Sequence, residues 1–236
     1  MIYQGDCFTE LEKLIQQGIK VDAIICDPPY NIDFEDNEWD TNFNISKALE
    51  LCSYIIKENG NIIIFQGWSN VCTTKIEMDK YWKIQNWIIW DRIKGRGANN
   101  NVVSTREDIL WYCNGTKPTF NKVYSNIQKK TGGLGTKNGQ DNRALSNVWY
   151  DISPIVPWSA ERNEHPTQKP LELMQRIITI FSNENDTILD FCMGSGTTCV
   201  AAQQLKRNFI GIEKEEKYYQ IAEERLRREN VKKRLF

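Results

Sequence analysis

Asp27-Pro28-Pro29-Tyr30 sets a carboxylate, two rigid prolines and an aromatic ring directly after the apolar run Val21 to Cys26. At the end of a strand, these residue types suit an amino group carried on a flat ring. Such a nitrogen is a poor nucleophile, because its lone pair is delocalised into the ring. A carboxylate and a backbone carbonyl that each accept one amino hydrogen favour a pyramidal, more reactive nitrogen, and Asp27 and the carbonyl of Pro28 can do this. Proline fixes its own φ, lacks an N–H and keeps the preceding residue extended, so Pro28 and Pro29 hold the turn without a hydrogen-bond ladder. Tyr30 offers a face for stacking. A base inside a duplex is out of reach and must be flipped out and held between apolar or aromatic groups before its edge can react.

A second constellation lies far downstream. Thr187 to Phe191 reads as a strand, Gly194-Ser195-Gly196 as a tight turn, Thr197 to Lys206 as a helix and Asn208 to Ile212 as a further strand ending at Glu213. Strand, glycine turn, helix and strand together let a ligand approach the backbone at a helix N-terminus. Glu213 follows Gly196 by 17 residues, near the offset at which an acid takes the hydroxyls of a ribose. A dinucleotide fingerprint would carry a third glycine near the position of Thr198. Its absence favours an uncharged or zwitterionic nucleoside over a pyrophosphate.

Three segments in this order, Asp27-Pro-Pro-Tyr30, His165-Pro-Thr-Gln-Lys-Pro170 and Leu189-Asp-Phe-Cys-Met-Gly-Ser-Gly-Thr-Thr198, resemble the β-class DNA amino-methyltransferases over nearly the whole chain. The resemblance implies S-adenosyl-L-methionine as cofactor and a circularly permuted methyltransferase fold, with a seven-stranded, mostly parallel Rossmann-like sheet. Enzymes that methylate glutamine or RNA with a related tetrapeptide carry the glycine loop first, so the late loop argues for DNA. An Asp at the head of the tetrapeptide goes with adenine in this family, and a Ser with cytosine. The implied activity is site-specific adenine-N6 methylation of DNA, with cytosine-N4 methylation as the alternative. A catalytically inactive nucleic-acid-binding module on the same fold is the reading from another class, and it predicts a spoiled tetrapeptide or loop. By the same resemblance Asp27, Pro28, Pro29 and Tyr30 are catalytic. The implied cofactor set is Asp6, Cys7, Asp27, Thr167, Lys169, Asp190, Cys192, Gly194, Ser195, Gly196, Thr197 and Glu213. Within it, Asp6 reaches the adenine amino group, Glu213 the ribose, and Thr167 and Lys169 the methionine carboxylate. The family has Asp-Pro-Phe where this chain has Asp190-Phe191-Cys192, which turns Phe191 toward the sheet.

Short apolar strands must position these residues. Seven candidates fall near 2–4, 21–26, 61–65, 84–90, 108–113, 187–191 and 208–212. Amphipathic stripes lie between several of them: Leu11, Leu14 and Ile15 behind a capping box at Thr9 to Glu12; Leu49, Cys52, Ile55 and Ile56; and Leu171, Met174, Ile178 and Phe181 in a helix that Pro170 opens at its first position. Strands alternating with such helices predict a doubly wound, mostly parallel α/β sheet, with residues 1–236 as a single methyltransferase domain.

Two segments break the rhythm. The acidic stretch 33–40 contains Trp39, placed to close over the site. Between 114 and 147 stand Lys117, Lys122, Lys129, Lys130, Lys137 and Arg143 against one acid, Asp141, with Gly132, Gly133, Gly135 and Gly139 among them. That composition predicts a basic insertion that orders on a polyanion, and Arg92, Lys94 and Arg96 form a second basic cluster. Family position assigns 114–163 to target recognition. The formal net charge of −1 hides this asymmetry.

The seven cysteines show no Cys-x-x-Cys and sit largely in apolar runs, and there is a single histidine, so neither disulfides nor a metal site is expected. With no leader and no membrane-length apolar run, a cytoplasmic protein is expected. DNA is the expected partner. A cognate restriction endonuclease and a homodimer are left open.

Overall fold

The structure, a computed structural model, describes residues 1–32, 42–96, 100, 102–128 and 142–235, with the backbone alone at 94–96, 126–128 and 232–235. In chain order the elements are β1 (Ile2–Gln4), α1 (Cys7–Gln16), β2 (Val21–Cys26), α2 (Ile45–Ile55), β3 (Ile56–Gln66), α3 (Val71–Asp79), β4 (Lys83–Arg96), β5 (Ser104–Cys113), β6 (Tyr124–Gln128), β7 (Asn142–Ala144), β8 (Val148–Trp149), α4 (Leu171–Phe181), β9 (Thr187–Asp190), α5 (Thr197–Gln204), β10 (Asn208–Glu213) and α6 (Glu216–Leu235).

The main sheet runs β1-β10-β9-β2-β3-β5-β4-β8. It contains all seven expected strands, and the two-residue β8 pairs in parallel with Ile89 and Trp90 at the β4 edge. Only the β3–β5 and β5–β4 pairings are antiparallel. Strand side chains alternate between faces, and the two cores follow that alternation. Val21, Ile24, Cys26, Ile62 and Ile64 face α1, α2 and α3 through Leu11, Leu14, Leu49, Cys52, Ile55 and Met78. Ala23, Ile25, Ile63 and Phe65 face α4 and α5 through Leu173, Ile177, Ile178, Phe181 and Ala201. Phe191 is buried in the first core.

The winding changes direction between β2 and β9. From β2 the chain moves outward through α2 to β3; from β9 it moves the other way through α5 to β10. Right-handed crossovers in opposite directions place α2 and α5 on opposite faces, which opens a crevice beyond the carboxyl ends of β2 and β9. Those two strands are direct neighbours, with Ala23 opposite Ile188 and Ile24 opposite Leu189, although more than 160 residues separate them. The late glycine loop and the early tetrapeptide therefore share one crevice.

Two expected helix starts shift. Asp6, not Thr9, caps α1, its Oδ1 accepting from the N–H groups of Phe8 (3.0 Å) and Thr9 (3.3 Å). A carboxylate at that place meets both the orphan N–H groups and the positive end of the helix dipole. Pro170 is the N-cap of α4, with ψ at 137°, and Leu171 opens the helix. No described helix is long and apolar enough to cross a membrane.

Candidate active site

Strand ends supply a row of acids. Asp6 follows β1, Glu213 ends β10, Asp190 ends β9 and Asp27 follows β2, in the order in which these strands lie side by side. On the far side of β3, the antiparallel β5 brings its first half to the same end of the sheet, where Asp108 stands opposite Gln66, the last residue of β3.

Asp27 is held by both oxygens. The Tyr30 hydroxyl donates to Oδ1 at 2.6 Å, and the Lys169 ammonium donates to Oδ2. Tyr30 is fixed in turn: the Asn70 amide donates to its carbonyl, and Gly67 leaves room for its ring, since a Cβ there would stand 3.2 Å from Tyr30 Cδ2. Burial, reinforced by Asp27 and Glu107, pushes the Tyr30 phenol well above its ordinary pKa, so it acts here as a proton-bearing donor. After the tetrapeptide, Asn31 adopts a left-handed conformation (φ 54°) and makes a two-point clamp with the backbone of Phe43, donating Nδ2 to its carbonyl at 2.9 Å and accepting its N–H at 2.7 Å. Trp39 and the rest of the acidic stretch lie outside the described residues.

Lys169 is buried, with its ammonium in contact with Asp27 and 3.1 Å from Glu107 Oε2. The rings of Tyr30 and Phe65 flank it at 5.8 and 5.6 Å. Burial acts to lower its pKa, but the two carboxylates outweigh it and hold the ammonium above its ordinary value. The cation expected to meet a cofactor carboxylate is thus committed to two acids of the protein. Glu107 was not read from the sequence; the signal was the acid pair Glu107-Asp108 opening the apolar run to Cys113.

The motif around Lys169 is rigid. Gln168 closes the preceding turn, accepting from the Asn163 N–H at 2.9 Å and donating to the Glu161 carbonyl at 2.8 Å. His165 packs on the Tyr218 ring at 4.3 Å and sits so close to Gly194 that a Cβ there would approach its Nε2 to 2.7 Å. Burial, aided by Lys169 and Arg225, lowers the His165 pKa to about 4, so the ring is neutral at neutral pH. Thr167 is half-buried in the same turn.

On the β9 side, burial pushes the Asp190 carboxyl up to about 7, against hydrogen bonds from Thr198 and from the Cys192 N–H. Glu213, also raised by burial, accepts from the N–H groups of Gly194 and Glu215, each at 2.8 Å. The Gly196 N–H is taken by the Met193 carbonyl at 2.8 Å. With the N–H groups of both glycines spent internally, the loop is not a phosphate cradle. Gly194 (φ 51°) and Gly196 (φ 76°) occupy the left-handed region, and a Cβ at Gly196 would lie 2.7 Å from that of Ala222 in α6.

Several expected ligands turn elsewhere. The hydroxyls of Ser195 and Thr197 accept from Arg225 of α6 at 3.2 and 3.0 Å, and the same guanidinium nitrogen donates to the Ser195 carbonyl at 2.6 Å. These side chains tie the loop to α6 rather than line the crevice. Cys7 is buried and Cys192 half-buried; with Cys26 their thiols form a cluster in which burial raises the pKa values of Cys26 and Cys192, and the hydrogen bond with Cys192, then burial, raises that of Cys7, so they are neutral packing groups. All seven cysteines are free.

The basic residues divide. Arg92 is an internal strut, with Nη1 3.3 Å from Glu107 Oε1 and with Nε and Nη2 donating to the carbonyls of Thr105 and Ser104 at 3.3 and 3.2 Å, so it is not an open phosphate ligand. Lys117 lies at the wrong end of the sheet: its N–H bonds Asn59 near the start of β3, opposite the crevice. Lys122 and Arg143 are exposed about the β6–β7 pair, where Leu145 bonds Val123 and the Lys122 ammonium sits 5.4 Å over the Tyr124 ring. Lys94 and Arg96 belong to β4 by backbone, and Lys129, Lys130 and Lys137 lie outside the described residues.

A sheet whose switch point joins a polar crevice, a glycine loop and an acid–proline–proline–aromatic turn has the form of a group-transferring enzyme, with room for a nucleoside beside a ring amine. A family model described as "DNA methylase" matches residues 21–224, and the chain belongs to that family of DNA amino-methyltransferases. The Type II methyltransferase M.HpaI of Haemophilus parainfluenzae is 33% identical over 216 residues, covering 87% of this chain and 68% of the relative. The DNA adenine methyltransferase YhdJ of Escherichia coli (strain K12) is 32% identical over 243 residues, covering 95% of this chain and 82% of the relative. Among solved structures, the complex of M1.HpyAVI with SAM superposes with a TM-score of 0.71 at 31% identity, covering 96% of this chain and 99% of the other.

Proposed function

We propose that this chain transfers a methyl group from S-adenosyl-L-methionine to the N6 amino group of a flipped-out adenine at specific sites in DNA. One observation carries the reading: Asp27, beside two prolines at the end of β2, is oriented by Tyr30 and Lys169 at the switch point that the glycine loop also borders. Asp27 and the Pro28 carbonyl accept the two amino hydrogens and draw the nitrogen lone pair out of conjugation. The Tyr30 ring backs the base. The acceptor nitrogen attacks in line, without a covalent enzyme intermediate. Positioning supplies the rate.

The acid row fits a cationic, donor-rich nucleoside. Glu213, anchored by two backbone N–H groups, suits ribose hydroxyls; Asp6, whose Oδ1 is occupied by the α1 cap, keeps Oδ2 for an adenine amino group; Asp190 suits an amine. S-adenosyl-L-methionine supplies an electrophilic sulfonium methyl. The relative named an adenine methyltransferase and the SAM complex of M1.HpyAVI support the adenine and the donor respectively. Target recognition falls to 114–163, through the exposed basic side chains of Lys122 and Arg143 about the β6–β7 pair. The deciding experiment incubates the purified chain with DNA and S-adenosyl-L-methionine and identifies the methylated nucleoside. N6-methyladenine supports the reading, N4-methylcytosine moves it to the other amino group, and no product from a folded, cofactor-binding protein overturns it.

A further inference from the structure

We infer that Glu107 is a positioning residue of the transfer, sharing the Lys169 ammonium with Asp27 so that the lysine orients the carboxylate facing the acceptor amine without being given to that carboxylate alone. The inference rests on the methyl-transfer reading of Asp27.

Asp27 and Lys169 alone would be a neutral pair. Methyl transfer forms the N–C bond on the nitrogen lone pair while the C–S pair returns to sulfur, so positive charge moves onto the acceptor nitrogen until one N–H proton leaves to water. An ammonium held by Asp27 alone would weaken that carboxylate's pull on the developing charge. Glu107, 3.1 Å from Lys169 Nζ, adds the second carboxylate. It is itself placed from the other side by Arg92, which three contacts to β5 hold back from the crevice, so the four groups balance in charge and Glu107 acts through where it holds the ammonium. The ammonium is enclosed by Asp27 and Tyr30 from the tetrapeptide turn, Phe65 from β3 and Glu107 from β5, and its charge helps keep His165 of its own turn neutral. Glu107 is thus the charged group, other than Asp27, through which Lys169 can be tuned. Glu107 also explains why a buried lysine can sit against the catalytic carboxylate without cancelling it.

The test compares Glu107→Gln and Glu107→Asp with the native chain. In single-turnover transfer to DNA, Glu107→Gln should lose about ten- to a hundredfold in rate. The thermal shift produced by S-adenosyl-L-methionine should not change. The alkaline limb of the rate profile should move to lower pH, because Lys169 has lost one of the two carboxylates that keep it protonated. The Lys169 13Cε resonance should titrate earlier by the same amount, a readout independent of turnover. Glu107→Asp should recover part of the rate. A native rate with a native alkaline limb in Glu107→Gln overturns the proposal. So does a slower rate with an unmoved limb and unmoved lysine titration, which is what a purely structural role would give. Asp27→Ala run alongside separates the two levels: if it transfers at the native rate the reading of the crevice fails, whereas an inactive Asp27→Ala with a normal Glu107→Gln removes Glu107 alone.

Discussion

At the scale of single residues, the tetrapeptide was legible because its chemistry is local: an acid, a donor-free turn and a ring in four successive positions. What the sequence could not show was the use of the tyrosine hydroxyl, since stacking alone asks only for the ring. The hydroxyl donates to Asp27 Oδ1, so Tyr30→Phe should slow transfer by about tenfold, the worth of one charge-assisted hydrogen bond, and Tyr30→Ala, losing ring and hydroxyl, should slow it further. Equal rates for native and Phe variants in single turnover would remove the hydroxyl from the account. Asp190 makes a second prediction. Its carboxyl is raised from 3.8 to about 7, so between those values the folded protein binds a proton that the unfolded chain does not, and stability falls as pH rises through that window. A cationic ligand needs the ionised acid and must displace that proton below pH about 7, so S-adenosyl-L-methionine should bind more weakly as pH falls, by at most about tenfold per unit. Titration calorimetry between pH 5.5 and 8.5 checks this, and Asp190→Asn should flatten the dependence. Glu107 escaped the sequence reading because its partner is Lys169, 62 residues away, and only the antiparallel turn of β5 brings the two together.

At the scale of elements, periodicity located the strands well and helix starts less well. Burial alternation is written in residue types over several positions, whereas a cap depends on one side chain, and Asp6 competes for that role with Thr9 three residues on. The β6–β7 pair and β8 were not legible, since they lie in a polar, basic stretch without the apolar runs that marked the other strands. The glycine loop was expected to let a ligand approach its backbone; the packing behind it was not foreseen, for α6 presses Ala222 against Gly196 and straps the loop through Arg225. Gly196→Ala forces a Cβ into a left-handed conformation and against Ala222, which should cost about 1–3 kcal/mol of stability. Its midpoint in chemical denaturation should fall accordingly, with the cofactor-induced thermal shift reduced. An unchanged midpoint would mean that the loop has room the structure does not show. Lys117 and Arg92 fell out of the basic surface because a run of positive residues says nothing about which end of a sheet each one reaches.

At the scale of the whole molecule, the order of motifs was the most informative feature, and the sheet explains it. The early and late segments meet because β2 and β9 are neighbours at the point where the winding reverses, so segments far apart in sequence build one crevice. Binding there should stabilise the whole domain: at a hundred times its dissociation constant, S-adenosyl-L-methionine adds about 2.7 kcal/mol, or roughly 5–10 °C in Tm for a chain of this length. The central claim is tested most directly by quantifying methylated nucleosides in DNA treated with S-adenosyl-L-methionine and either the native chain or Asp27→Ala. Because Asp27→Ala leaves the buried Lys169 with Glu107 alone, cofactor-induced thermal stabilisation is measured on the same samples to show that the variant is folded. The account predicts N6-methyladenine from the native chain and none from the folded, cofactor-binding variant. Methylation by Asp27→Ala at the native rate would contradict it.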